Sequence, residues 1–228
     1  MSQIKKLAGQ TAYYGISSIL GRVLNFALVP FYTRILPTEE YGIVINLYGI
    51  AAFLNIIYTY GLETSFFRFS TKQKSIDAYH YTGSAILLTS LILSGVLFIA
   101  APSLSAYTAA EAHPEYIRYL ALIVFIDAIV AIPFAKLRLD DRPVKFAAIR
   151  LTVIGITIAL NMLFLLVFPA IMEGKYLTGP QSTIDKIYDP TIGVGYIFIA
   201  NLMANALYLP LLFKELKQIR IRFNWAAF

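Results

Sequence analysis

The sequence predicts an all-α polytopic membrane bundle of six transmembrane helices, and three observations predict it. Apolar residues make up 58% of the 228 positions and charged residues only 14%, whereas a water-soluble domain carries about a quarter charged residues. Six continuous apolar stretches reach the ~20 residues that a spanning helix needs. Barrel strands would be shorter and would alternate apolar with polar, so helices are the structure that satisfies this backbone in lipid. Lysines and arginines, finally, gather on one side of those stretches.

The spans fall at Leu7 to Ile35, Tyr41 to Leu62, Gly83 to Tyr107, Ile117 to Leu139, Phe146 to Phe168 and Ile192 to Phe213. Lys5 and Lys6 precede the first. It is longer than the ~7 to 15 residue apolar core of a signal peptide and is interrupted by Arg22, so it reads as a retained helix. Pro37 stops it, and the short connection Leu36 to Glu40 makes the first two spans an antiparallel hairpin. Glu63 to Thr82 is polar and basic, which predicts a helix at the interface anchored by Phe66, Phe67, Phe69, Tyr79 and Tyr81. Lys136, Arg138, Arg142 and Lys145 separate the fourth and fifth spans, and a turn-rich stretch with Gly174, Gly179, Pro180 and Pro190 separates the fifth and sixth. Pro133 and Pro210 are expected kink points. Ala200 and Ala204, four apart, suit close helix approach.

Arg68, Lys72, Lys74, the four cations from Lys136 to Lys145 and Lys214, Lys217, Arg220 and Arg222 lie on the side of the N-terminus, against Lys175 and Lys186 in the opposite loops and Arg34 and Arg118 at helix ends. The asymmetry puts both termini in the cytoplasm, with residues 1–213 as the bundle and 214–228 as a cytoplasmic tail. It also accounts for the net charge of +6 without a nucleic-acid partner; membrane lipids are the surrounding partners. The chain has no cysteine, which excludes disulfides and thiolate metal sites. His80 and His113 are far apart, no Gly-rich phosphate loop is present, and neither a catalytic constellation, a metal site nor a cofactor is predicted.

The first span carries the strongest functional pattern. Thr11, Tyr14, Ser18, Arg22, Asn25 and Tyr32 recur at steps of 3, 4, 4, 3 and 7, which places them on one stripe. An arginine near mid-membrane costs about 2.5 to 3.5 kcal/mol on insertion scales and turns to a bundle interior or an aqueous cavity. There Arg22 is either an anion-binding group or a structural ion-pair partner. Asp127, near the centre of the fourth span, is the other ionisable group expected deep in a helix; it pairs with Arg22, stays protonated, or binds a coupling proton or sodium ion. Asn55, Thr59 and Glu63, then Thr157 and Asn161, then Asn201, Asn205 and Tyr208 each form a polar face at helical spacing. Each face either lines a passage or bonds to a neighbouring helix.

Leu7-Ala8-Gly9-Gln10-Thr11 through Gly21-Arg22, then Pro30-Phe31-Tyr32-Thr33-Arg34-Ile35-Leu36 leading to Glu40-Tyr41-Gly42, and Tyr60-Gly61-Leu62-Glu63-Thr64-Ser65-Phe66-Phe67-Arg68-Phe69 resemble the start of the polysaccharide-export flippases. Their superfamily also contains the MATE multidrug exporters and the lipid II flippase. The resemblance is strongest over residues 7–70. It implies one lobe of a two-lobed, MATE-like transporter that passes an undecaprenyl-pyrophosphate-linked oligosaccharide, such as an O-antigen unit of lipopolysaccharide, between leaflets by alternating access. Polysaccharide polymerase and other assembly proteins are then expected partners. Arg22 becomes a contact for pyrophosphate or an acidic sugar in a cationic cavity, with Arg34 and Arg68 nearer its mouths or serving as interfacial anchors. Members have two such lobes, so this chain reads as an N-terminal half. Alternatives are a cation-coupled drug exporter served by Asp127, a membrane-embedded polymerase or ligase, and an inactive fragment.

Overall fold

The computed structural model describes residues 28–73, 77–108, 110–174 and 187–221, together with Gly15, Ile19, Leu20, Val23, Phe26 and Ile184. All secondary structure among these is helical. Residues 28–35 form the described part of α1, which ends where Pro37 takes an extended backbone. α2 (Thr38–Thr59) follows at once, with Glu39 and Glu40 in its first turn, where carboxylates favour the positive end of the helix dipole. Tyr60 and Gly61 both take positive φ, 28° and 75°, and break the chain direction before α3 (Leu62–Gln73). Gly61 suits that turn because it has no Cβ to clash.

α4 (Asp77–Ser105) and α5 (Pro114–Leu139) come next, then α6 (Pro143–Met162). Proline at the start of α5 and α6 occupies a position whose N–H has no helical partner in any case. Pro169 cannot donate to the carbonyl four residues back. The chain widens into a π turn over Leu163–Val167, where Phe168 N–H bonds to the Leu163 carbonyl, before α7 (Phe168–Met172). After a single 3₁₀ turn at Pro190–Ile192, α8 (Gly195–Ala206), α9 (Tyr208–Leu211) and α10 (Phe213–Lys217) complete the described helices.

Four helical stretches are long and apolar enough to cross a membrane: Thr38–Thr71, Asp77–Ser105, Pro114–Leu139 and Pro143–Met172. Gly195–Leu211 is apolar but shorter. Ile99, Ile56 and Phe53 are 82%, 69% and 66% exposed, a surface that lipid tolerates and water does not. The chain is a multi-pass membrane protein. Of the six expected spans, the first lies largely outside the described residues. The sixth is divided at Leu207, in the turn that leads into the expected kink residue Pro210, which lacks the N–H that would bond back to the Ala206 carbonyl. Pro133 lies inside an unbroken α5.

α5 is the hub. In its apolar stretch 67% of residues are buried, against 28% or less in the other three, and it packs on α2, α3, α4 and α8. Ala200 and Ala204 of α8 are fully buried, as small residues at a close helix contact are. Tyr58 shares a hydrogen bond with Ser94 (2.9 Å), and Ser94 donates to the Ala121 carbonyl (3.1 Å), joining α2, α4 and α5 through polar contacts. Where interfacial anchors are expected, α3 does form, but Phe66 and Tyr79 pack edge to face in the core at 1% and 2% exposure. Their rings are nearly all apolar surface, so contact with α4 and α5 removes more of it from water than an interfacial position would.

Candidate functional site

Two polar cavities lie one toward each end of a polar seam, where α8 meets α2 through Asn201 and Tyr48 and α5 through Asn205 and Asp127. The first, of about 360 Å³, sits between α1, the start of α2, the end of α6 and the start of α8. Leu28, Val44, Ile45 and Ile197 supply its apolar wall; Tyr32, Tyr41, Tyr48, Thr157, Asn161 and Asn201 supply its polar groups. None of these side chains carries charge at neutral pH. Asn201 Nδ2 donates to the Tyr48 hydroxyl (2.6 Å), and Asn161 Nδ2 donates to the Thr157 carbonyl one turn back (2.7 Å). Asn161 is 1% exposed and its Oδ1 has no hydrogen-bond partner among the described residues.

A column of stacked rings holds this wall. His113 lies on Tyr116 (4.6 Å between centroids), Tyr116 on Phe198 (5.3 Å) and Phe198 on Tyr48 (5.4 Å), so the first turn of α5 is connected to the cavity through α8. Tyr116 also donates to the Ile192 carbonyl (3.1 Å). Gly195 makes the column possible, since a Cβ there would stand 2.7 Å from the Tyr116 ring.

The second cavity, of about 340 Å³, lies at the other end of the same helices. Asn55 and Thr59 of α2, Glu63 of α3, Asp127 and Arg138 of α5, Arg150 of α6 and Tyr208 of α9 line it. Asn205 Nδ2 donates to Asp127 Oδ1 (3.0 Å), while Asn55 and the Arg150 charge also act on that carboxylate. Arg138 is ion-paired with Glu63. Arg150 makes no ion pair among the described residues; its guanidinium lies over Phe146 (5.0 Å) and Phe134 (5.2 Å). The rings supply the negative face that a partly buried cation needs. One helical turn, about 6 Å, separates Asn201 in the first cavity from Asn205 beside the second.

Of the residues named from sequence, Asn161 and Asn201 share the first cavity, and Asn205 bonds to Asp127 at the second. Three polar faces that the sequence leaves open between lining and packing converge on the two cavities. Tyr14, Ser18, Arg22 and Asn25 lie outside the described residues. Arg34 and Arg68 are exposed and line neither cavity. The expectation that Asp127 and Arg22 are the ionisable groups deep in the spans omits Arg150, and Arg138 enters the site besides marking topology. Among the described lining residues of the second cavity two arginines face two carboxyl groups, a balanced set when both acids are ionised. A third cavity, of about 700 Å³, is basic, with Lys136, Lys214, Lys217 and Arg220 around Asp77 and His80. There Arg220 N–H donates to His80 Nδ1 (3.2 Å) and the Tyr79 hydroxyl to the Glu215 carbonyl (2.8 Å), fastening the segment after α9 onto α4.

In comparisons with known proteins, a family model described as polysaccharide biosynthesis protein matches residues 31–173, well over half of the chain. No curated protein and no solved structure matches it.

Proposed function

The chain belongs to the polysaccharide biosynthesis protein family, and on that premise we propose that it is a flippase lobe for a lipid-linked oligosaccharide. In this reading the six-helix lobe, residues 1–213, supplies one wall of a passage in a bacterial inner membrane. Both termini and the 214–228 tail face the cytoplasm, where the basic third cavity meets anionic lipid. The carried molecule is an undecaprenyl-pyrophosphate-linked glycan of the O-antigen kind, handed on to a polymerase and its assembly partners. Arg22, with Tyr14, Ser18 and Asn25, contacts its phosphates, and Arg34 and Arg68 stand toward the mouths.

One observation carries the proposal: Asn201 and Asn205, one turn apart on α8, run between two polar cavities inside a bundle whose long helices expose large apolar side chains. Intramembrane polar and ionisable groups are costly to bury, and where they line a cavity they mark a substrate or ion path. Asp127, held by Asn205, is the candidate for a coupling proton or sodium ion. A second reading, a cation-coupled drug exporter, draws on the balanced charge of the second cavity, which lacks the repulsion that a cationic drug would meet in a positive one.

The test is made in the source bacterium with the intact gene. Its deletion is expected to remove surface glycan and to accumulate the lipid-linked unit on the cytoplasmic side, and Asp127→Ala to lower export at least tenfold at unchanged protein level. Loss of drug resistance with normal surface glycan would replace the flippase reading by the exporter.

A further inference from the structure

We infer that the uncharged cavity between α1, α2, α6 and α8 is a subsite for one neutral pyranose ring of the carried glycan, and that it discriminates against acidic sugars. This deepens the flippase reading and rests on it. A pyranose presents hydroxyls that both donate and accept, and C–H faces that pack on aromatic rings. The cavity offers the matching set: Tyr32, Tyr41 and Tyr48 as ring surface and hydroxyls, with Asn161 and Asn201 as amides. Its volume of about 360 Å³ lies at the small end of the ~300 to 1,000 Å³ range of ligand pockets, which suits a single ring rather than an oligosaccharide.

The orphaned Asn161 Oδ1 is the sharpest feature. A buried acceptor without a donor is unfavourable, and this one belongs to a cavity-lining residue whose amide N–H is already committed to Thr157. A sugar hydroxyl donates to it directly. Tyr48 accepts from Asn201 and keeps its own O–H to give to the same ring. An acyl chain would leave the amides unsatisfied. A uronic carboxylate would face the Asn161 carbonyl and tyrosine oxygens with no cation among the described lining residues, so its desolvation would go uncompensated there. Charge is therefore divided along the seam, with phosphate- or ion-handling groups at one end and neutral sugar recognition at the other.

The experiment measures binding of methyl glucoside, methyl N-acetylglucosaminide and methyl glucuronide to the purified full chain in lipid nanodiscs by saturation-transfer NMR, with glycan export scored in parallel. At least one neutral glycoside is expected to bind, and the glucuronide to bind at least tenfold more weakly. Asn161→Leu is expected to reduce neutral binding at least tenfold. Tyr48→Phe, which keeps the ring stack and removes only the hydroxyl, provides the same reading at about threefold if the first variant does not fold. No neutral binding, equal binding of the glucuronide, or full binding by folded variants overturns the subsite. If export still requires the gene in that case, the flippase reading stands without it; neutral binding with export independent of the gene keeps the subsite and removes the flippase.

Discussion

The two ends of the polar seam solve the same physical problem differently. At the α1 end, polarity is neutral: amides and tyrosines are held by stacked rings, with one acceptor left unsatisfied. At the other end, Asp127, Glu63, Arg138 and Arg150 are ionisable groups, held by an amide, an ion pair and aromatic faces. A neutral orphan costs about 1 to 3 kcal/mol and an unpaired buried charge costs more. Among the described residues, open valence remains at both ends, on Asn161 Oδ1 at the uncharged end and on Arg150 Nε at the other, where the guanidinium rests on aromatic faces. The difference lies in what each end holds open: a neutral acceptor at one, a donor of a cation at the other.

Exchanging the chemistry of the ends breaks the comparison most severely. Asn161→Asp puts a carboxylate at 1% exposure against the Thr157 carbonyl and is expected to destabilise the protein by about 4 kcal/mol. Asp127→Asn, at the charged end, keeps a hydrogen-bonding side chain of the same shape and is expected to cost less than about 1 kcal/mol while export falls. Equilibrium unfolding in mixed micelles measures both, and equal losses would remove the distinction. Next in size is Lys145→Ala, which strips Glu215, 5% exposed, of its 2.6 Å ion pair between α6 and α10. A loss of about 3 kcal/mol is expected in the same assay, since removing one partner leaves a buried charge uncompensated.

Gly195→Ala sharpens the comparison from the neutral side. Its Cβ would meet Tyr116 at 2.7 Å and Ile192 at 2.8 Å, so the ring column must shift, at a cost of about 2 kcal/mol. Gly95→Ala, with open space around it, serves as the control and is expected to be neutral or mildly stabilising. The smallest effect concerns Asp189, in the loop before α8. Two hydrogen bonds from Thr191, through its hydroxyl and its backbone N–H, hold this carboxyl below its ordinary 3.8. A depressed carboxylate contributes stability that is complete above the unfolded pKa and is lost as pH falls through the folded one. Thr191→Val removes the hydroxyl donor, so the Asp189 titration followed by NMR is expected to move up toward 3.8. An unmoved titration would assign the whole effect to the backbone bond.

Helix positions were legible in the sequence because hydrocarbon imposes a local rule: enough consecutive apolar residues, closed by proline, glycine or charge. α2 begins three residues before the expected Tyr41 and α5 three before Ile117, differences that arise at caps, where length and apolarity no longer discriminate. The polar faces of α2, α6 and α8 were legible for a similar reason, since a 3.6-residue period is written in the chain itself. Arg150 was not. Its neighbours one turn away in each direction, Phe146 and Ile154, include no acid, so nothing in its own helix distinguishes it from a loop-end cation.

By itself, then, the sequence determined the solvent, the helical class and which residues share a face, since each of these depends on near neighbours along the chain. Which faces meet was left to packing. Gly195 lets the start of α8 lie against Tyr116 of α5, and further along the same helix Asn205 meets Asp127 and Asn201 meets Tyr48. Helix rotation depends on contacts between residues 78 and 153 positions apart. The division into a neutral and a charged cavity arises there, in distances that no single helix encodes.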